Sequence, residues 1–371
     1  MRVLVIAAPM IGHVLPLLPL ADAFREAGHD VLVATAGEGA GAVRRSGLPV
    51  HDVAPGLQLR QVMIGSLVRH PVRIGRMIRG DEGTDGVGLM FAAIGERLAP
   101  GTIALADDWR PTLVLHEGLM PVGALVASRR GVPAVLVDAL LFDGRGLFTA
   151  VAEHLAPLTD RFGGSLTAPA DAVVTAPPSV VGPRSGRPMR HVPAGRDGEA
   201  PEPLTRRGDR PRILVTRSTV DDPRRDVMMS RVVEAAAHAD LDVVLVRPDR
   251  WVLGRALPDN VTTTDWLPFP TVLPHVSGLV HHGGAGTLLT TLAAGVPQLV
   301  VPGAGDRTAH ARLIAERGAG LAVPLDQLSA DTLGALVGEP RLRSAAAEVA
   351  AEIAAMPAPA AVADDLVAVA S

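Results

Sequence analysis

At 371 residues the chain is long enough for two domains of ordinary size, each burying its own core. Its formal charge is only −4, with 20% charged residues, which leaves no basic footprint for nucleic acid and points to small-molecule partners. Cys, Lys and Tyr are absent, so disulfides, thiolate metal sites, a Walker-type lysine, a pyridoxal Schiff base and a Tyr/Lys dehydrogenase couple are all excluded.

Residues 2–8 form a short β-branched-rich run, 9–12 a loop, and 15–27 a helical pattern closed by Gly28, with Gly12-His13 between strand and helix. The apolar stretch 3–21 imitates a signal peptide, but Gly12-His13, Pro16 and Pro19 interrupt it. No other run reaches membrane-spanning length without a charge or a Gly/Pro break, so a cytoplasmic protein is expected. A strand at 31–35, a helix at 38–46 ended by Gly47 and a strand at 49–53 follow. Such alternation predicts a parallel sheet covered on both faces, an α/β half of Rossmann type. Gly37-Glu38-Gly39-Ala40-Gly41-Ala42 fits a dinucleotide fingerprint, but it follows the second strand and lacks an acidic residue at the ribose distance.

From 56 to 85 the pattern weakens, with Arg60, Arg69, Arg73, Arg76 and Arg79 among Met, Ile and Leu. Gly65, Pro71, Gly75 and Gly80 interrupt it, which suits a pocket lid better than an amphipathic membrane-surface helix. Alternation resumes with a helix at 88–105, a turn holding Asp107 and Asp108, a strand at 112–115, a helix at 121–130 and strands at 134–137 and 173–175. Residues 193–211 are rich in Pro, Gly and charge. These features predict a first domain at 1–195, a linker at 196–211 and a second domain at 212–371. The second has strands at 212–216, 242–246, 261–263 and 298–301, a helix at 224–237, and Ala-rich helical patterns at 345–355 and 361–370. Asp240-Leu241-Asp242 imitates a metal-binding pair but opens a buried strand, and no His/Asp/Glu cluster has metal spacing.

Within the second domain, residues 277–280 read as a buried strand, and Leu288, Leu289, Leu292 and Ala293 recur at helical spacing until Gly295-Val296-Pro297. Between them lies His281-His282-Gly283-Gly284-Ala285-Gly286-Thr287, a glycine turn at a helix N-terminus. Unpaired N–H groups and partial positive charge at such a terminus accept phosphate, glycines allow close approach, and His282 and Thr287 add donors.

That heptad resembles the donor-binding signature of bacterial natural-product glycosyltransferases with the GT-B fold. Ala293-Ala294-Gly295-Val296-Pro297-Gln298, Val301-Pro302, Gly305-Asp306 and Gly318-Ala319-Gly320 carry the likeness, with Trp266-Leu267-Pro268 upstream. The relatives concerned are of the family 1 type, inverting enzymes that decorate macrolides, aromatic polyketides and enediynes. The resemblance implies two Rossmann-like domains facing a cleft, with the last helix, about 358–371, crossing back to the first domain. It implies transfer of a (deoxy)sugar from a dTDP-linked nucleotide diphosphate donor to a small apolar acceptor, without a metal or resident cofactor. A catalytically silent nucleotide-sugar-binding partner and a sugar-nucleotide epimerase are the alternatives, and a homodimer is left open.

On the donor side the resemblance implies Trp266 and Leu267 at the base, and His282, Gly283, Gly284, Ala285, Gly286 and Thr287 at the diphosphate. Asp306 stands at the sugar, where many relatives continue with Gln and, three residues on, Asn; this chain has Arg307 and His310. Ser218 and Thr219 follow the first strand of the second domain, where relatives set a small polar loop against the phosphates; helix capping is the other reading. Thr290 replaces the Glu with which plant relatives grip both ribose hydroxyls, which favours a deoxyribose unless Thr290 simply faces the helix surface. On the acceptor side His13 matches the family's general base, its alternative being a loop-satisfied or capping His. Glu117 stands where some relatives place an Asp partner, its alternative being a solvent-facing carboxylate.

Overall fold

The computed structural model describes residues 1–79, 84–193, 198–206, 208–217, 227–303 and 305–370. The chain divides into two compact units: Met1–Ala176 with Pro183–Arg190 and Met356–Ser371, and Pro177–Gly182 with His191–Ala355.

The first unit begins β1 (Arg2–Ile6), α1 (Ile11–Val14), α2 (Leu18–Glu26), β2 (Asp30–Thr35), α3 (Gly37–Ser46) and β3 (Val50–Asp52). It continues α4 (Leu59–Arg69), α5 (Pro71–Arg79), α6 (Asp85–Trp109), β4 (Leu113–Glu117), α7 (Val122–Arg130), β5 (Ala134–Asp138), α8 (Gly144–Ala152), α9 (Ala156–Phe162) and β6 (Asp171–Val174). A short helix α10 (Pro178–Val181) belongs to the other unit, and β7 (Arg187–Pro188) completes a seven-stranded sheet of order β3-β2-β1-β4-β5-β6-β7. Every neighbouring pair in it is parallel.

A parallel strand covered on both sides must be apolar on both, and Val3 to Ile6 are fully buried. Val3 and Val5 pack toward Leu20 and Phe24 of α2, whereas Leu4 and Ile6 pack toward Phe91, Ile94 and Leu98 of α6. The 25-residue α6 is long and apolar enough by length and composition to cross a membrane, although Gly95, Glu96, Arg97 and Pro100 interrupt it, and half of that apolar window is buried in this core.

The second unit adds α11 (Glu202–Thr205), β8 (Arg212–Thr216), α12 (Val227–Ala236), β9 (Asp242–Val246), α13 (Arg250–Leu253), β10 (Val261–Thr264), α14 (Phe269–Val272) and β11 (Gly278–His281). After these come α15 (Ala285–Ala293), β12 (Gln298–Val300), α16 (Arg307–Arg317), β13 (Gly320–Ala322), α17 (Ala330–Gly338) and α18 (Pro340–Ala355). The strands form a six-stranded parallel sheet of order β10-β9-β8-β11-β12-β13. The final helix α19 (Pro359–Ala370) lies in the first unit, where Val362, Ala363 and Leu366 are buried in the same cluster as Leu20 and Phe24 of α2.

Several elements differ from the sequence reading. Residues 59–79 are two helices although the sequence pattern weakens there: Pro71 opens α5 at a helix start, where its missing N–H costs nothing. Asp107 and Asp108 lie in the last turn of α6, not in a turn before β4, and Asp107 pairs with Arg129 at 3.4 Å. The expected linker is in part folded onto the second unit, because α11 buries Leu204 in the cluster that holds Leu214 and Leu267. The second unit also begins at His191 and takes in Pro177–Gly182, so the division does not follow the expected boundary at 195. Two predicted distractors are structural: 37–42 build α3, and Asp242 pairs with Arg210 at 2.7 Å.

Candidate active site

In an open parallel sheet, ligands gather at the carboxyl ends of strands where the chain reverses its direction of build-up. The first sheet grows from β1 to β2 and β3, then returns to set β4 on the other side of β1, so its switch point lies between β1 and β4. His13 follows β1 and Glu117 ends β4.

Pro16 and Pro19 carry no N–H, and the helical pattern after β1 accordingly breaks into the single turn α1, a 3₁₀ turn at Leu15–Leu17, and α2. His13 thus sits in the one-turn α1, not in the loop that the sequence suggested. Its Nδ1 is 2.7 Å from Glu117 Oε2, while Glu117 Oε1 accepts the Ala8 backbone N–H at 2.6 Å. Glu117 is 2% exposed, which rules out the solvent-facing alternative. A carboxylate only accepts, so Nδ1–H donates and Nε2 is the basic nitrogen of the neutral ring. Phe91 tilts against the imidazole, ring centroids 5.3 Å apart. The pair can take a proton at Nε2 and steady the resulting imidazolium.

The second sheet has the same switch point, between β8 and β11. β11 runs one residue beyond its predicted end to include His281, and the chain then turns through Gly283 at φ 89° into α15. A Cβ at Gly283 would meet Val300 Cγ1 at 3.0 Å and Arg307 at 3.2 Å, so both the positive φ and the space demand glycine. Gly284 is the N-cap and, among the described residues, no side chain caps it; the N–H groups of Ala285, Gly286 and Thr287 have no intrahelical partner. His282 lies beside this turn, its pKa pushed down to about 3 by burial and then by the charges of Arg307, His281 and His310. A neutral imidazole, a helix N-terminus and a nearby guanidinium are groups whose chemistry suits an anion.

Comparison with known proteins places this geometry. Residues 22–217 match the family described as erythromycin biosynthesis protein CIII-like, N-terminal domain, and residues 230–369 its C-terminal domain. The elloramycin glycosyltransferase ElmGT of Streptomyces olivaceus is 38% identical over 98% of this chain and 96% of its own length. The chain belongs to this glycosyltransferase family. Among solved structures, the glycosyltransferase SnogD from Streptomyces nogalater superposes with a TM-score of 0.85 at 31% identity, covering 100% of this chain and 99% of its own. SsfS6 from Streptomyces sp. SF2575, complexed with thymidine diphosphate, superposes at 0.83 with 28% identity over 99% of each chain. The protein is therefore a GT-B glycosyltransferase that uses a nucleotide-sugar donor, and neither a silent partner protein nor an epimerase is favoured.

On the donor side of this glycosyltransferase, Trp266 follows β10 and is 56% exposed. The Arg247 guanidinium lies over its ring at 4.7 Å from the centroid. Arg247 escaped the sequence reading; its place directly after β9, at the ligand-bearing end of the sheet, was the available signal. The Leu267 side chain is 5% exposed in the core, so its backbone is the part that can meet a base. Thr290 is also buried, at 7% exposure, instead of facing the helix surface. Gly286 is exposed, and Gly284, Ala285 and Thr287 are half-buried. Asp306 is the exposed N-cap of α16, and Arg307 packs its stem against Gly283 and its guanidinium against Gly303. Ser218 and Thr219 lie outside the described residues.

Proposed function

We propose that the enzyme moves a deoxysugar from a dTDP-linked donor to a small apolar natural-product acceptor, with inversion and without a metal or other cofactor. His13 Nε2 takes the acceptor proton, the acceptor oxygen bonds to the anomeric carbon, and the bond to the diphosphate breaks in the same displacement. Glu117 orients the ring and supports the imidazolium. Charge growing on the departing diphosphate meets the α15 N-terminus, His282 and Arg307, which take the part that a metal would otherwise play.

The pairing of the half-buried His13 with the buried Glu117 at the β1/β4 switch point carries this reading. The deoxyribose preference is supported by the lack of a carboxylate at Thr290 and by the thymidine diphosphate bound to SsfS6. Competition between dTDP and UDP tests the donor, and the anomeric configuration of the product tests the displacement. We expect dTDP to bind at least as tightly, the product to be inverted, and turnover to persist in EDTA. A clear UDP preference, a retained configuration, or loss of activity restored by a divalent ion would each overturn the corresponding part.

A further inference from the structure

We infer that His281 and His310 are positioning residues for the donor diphosphate, gripping the backbone on both sides of Gly283 and so aiming the N–H groups of the turn. The inference rests on the reading of residues 282–287 as the diphosphate site.

Gly283 N–H donates to His281 Nδ1 at 3.1 Å, and the Gly283 carbonyl accepts from His310 Nδ1 at 2.8 Å. These bonds hold the two successive peptide planes that flank Gly283, and therefore both its φ and its ψ. Glycine at positive φ is the residue with most freedom to lose, and here that freedom sits one residue before the anion-binding helix. In a trans peptide the carbonyl and the following N–H point in opposite directions, so His310 also sets the direction of the Gly284 N–H.

The hydrogen-bonding roles are fully determined. A backbone N–H can only donate, so His281 Nδ1 carries the lone pair and Nε2 the proton, which Gln298 Oε1 accepts at 2.8 Å. A carbonyl can only accept, so His310 Nδ1 carries a proton, and its Nε2 faces Asp306 Oδ2 at 3.7 Å. His281 and Gln298 are completely buried and His310 is 1% exposed. Burial also keeps His281 neutral, its pKa pushed down to about 4. β11 and α16 thus each commit a buried ring to one glycine, and β12 supplies Gln298 to hold the first of them. Burying such groups costs stability unless every bond is made, and an apolar filling would hold the elements together more cheaply. What an apolar filling cannot do is fix the direction of two peptide planes.

The test is calorimetry with dTDP and UDP, and with thymidine and uridine, on the wild type, His310→Leu, His310→Asn and His282→Ala, alongside thermal melts. An Asn side-chain N–H reaches the place of His Nδ1, whereas Leu offers no donor. His310→Leu should weaken whichever diphosphate binds better on the order of tenfold or more, with the matching nucleoside unchanged, and His310→Asn should recover most of the loss. Wild-type diphosphate affinity in a folded His310→Leu, an equal loss of nucleoside affinity, or no recovery in His310→Asn overturns the clamp. If His282→Ala weakens the diphosphate and His310→Leu does not, only the clamp falls; if neither variant matters, the diphosphate reading falls as well. Should His310→Leu fail to fold, nitrogen NMR of the wild-type imidazoles decides: Nε2–H at His281 and a protonated Nδ1 at His310 are expected, and the opposite tautomer at either overturns the inference.

Discussion

At the scale of single residues, the His13–Glu117 pair shows how far side-chain length alone misleads. A Glu in place of the Asp of relatives reads as a partner too long for its task. Here Glu117 ends β4 beside β1, and the Ala8 N–H pins one oxygen at 2.6 Å while the other meets His13. The carboxylate is thus fixed by two charge-assisted bonds, and its extra methylene is taken up inside the switch point. General-base assistance is worth about 10²- to 10⁴-fold, so His13→Ala should cut turnover on that order and leave nucleotide affinity nearly unchanged. Glu117→Gln should also slow turnover, through a looser ring and a less supported imidazolium, and the double variant should be little worse than His13→Ala. Single-turnover rates with saturating donor check this, and strictly additive effects would separate the two residues. The motif residues were legible because a glycine turn at a helix start has few uses. Arg247 was signalled only by its place after a strand, and it is the parallel pairing of β9 with β10 that brings it to Trp266.

Helices were harder to read than strands. Pro16 and Pro19 were visible as interruptions, but whether proline ends a helix or merely divides it depends on what the following turn packs against. Leu17, Leu18 and Leu20 are buried, so the chain resumes as α2. In α4 and α5 Gly65 and Gly75 weaken the helices without breaking them, by about 1 kcal/mol each relative to Ala. The last helix has the clearest energetic consequence at this scale. Leu366 is 2% exposed against the α2 side of the first sheet, and truncating a buried Leu to Ala costs roughly 2–5 kcal/mol. Leu366→Ala should lower the stability of the first unit by that order in urea titrations, with dTDP affinity preserved because the donor residues lie in the second unit. An unchanged denaturation midpoint would show that α19 contributes nothing to that unit.

For the whole molecule, the buried histidines set the response to acid. His116, His191 and His281 are pushed down to about 4, and His282 to about 3, burial being the largest cause in each. Unfolded, each returns to an ordinary His pKa near 6.5, so between about pH 6.5 and 4 the unfolded chain binds more protons than the native one. Stability therefore rises with pH through that window, and is lost as pH falls, at up to about 1.4 kcal/mol per pH unit for each group. Asp138, raised by burial, works the other way near the bottom of the window. The melting temperature should fall steeply from pH 7 to 5, and His191→Phe, which removes a ring whose Nε2 finds no partner among the described residues, should flatten the slope. A melting temperature constant over that range would contradict these shifts.

By itself the sequence determined the α/β class, the strand–helix alternation, the two parallel halves and the donor motif. All of these rest on short-range physics: apolar runs, glycine turns and helix stops repeat within a few residues, where spacing is information. Only the tertiary structure decided what depends on strand order. It set Glu117 against His13, 104 positions apart along the chain, laid Arg247 on Trp266, turned Leu267 and Thr290 inward, and closed His281 and His310 on Gly283. It also seats α19 in the unit in which the chain begins, as the family resemblance implied. The hydrogen bonds that span most sequence here join the chain after β1 to β4 and the chain after β11 to α16, and a linear pattern that favours consecutive strands as neighbours does not say which distant elements will meet.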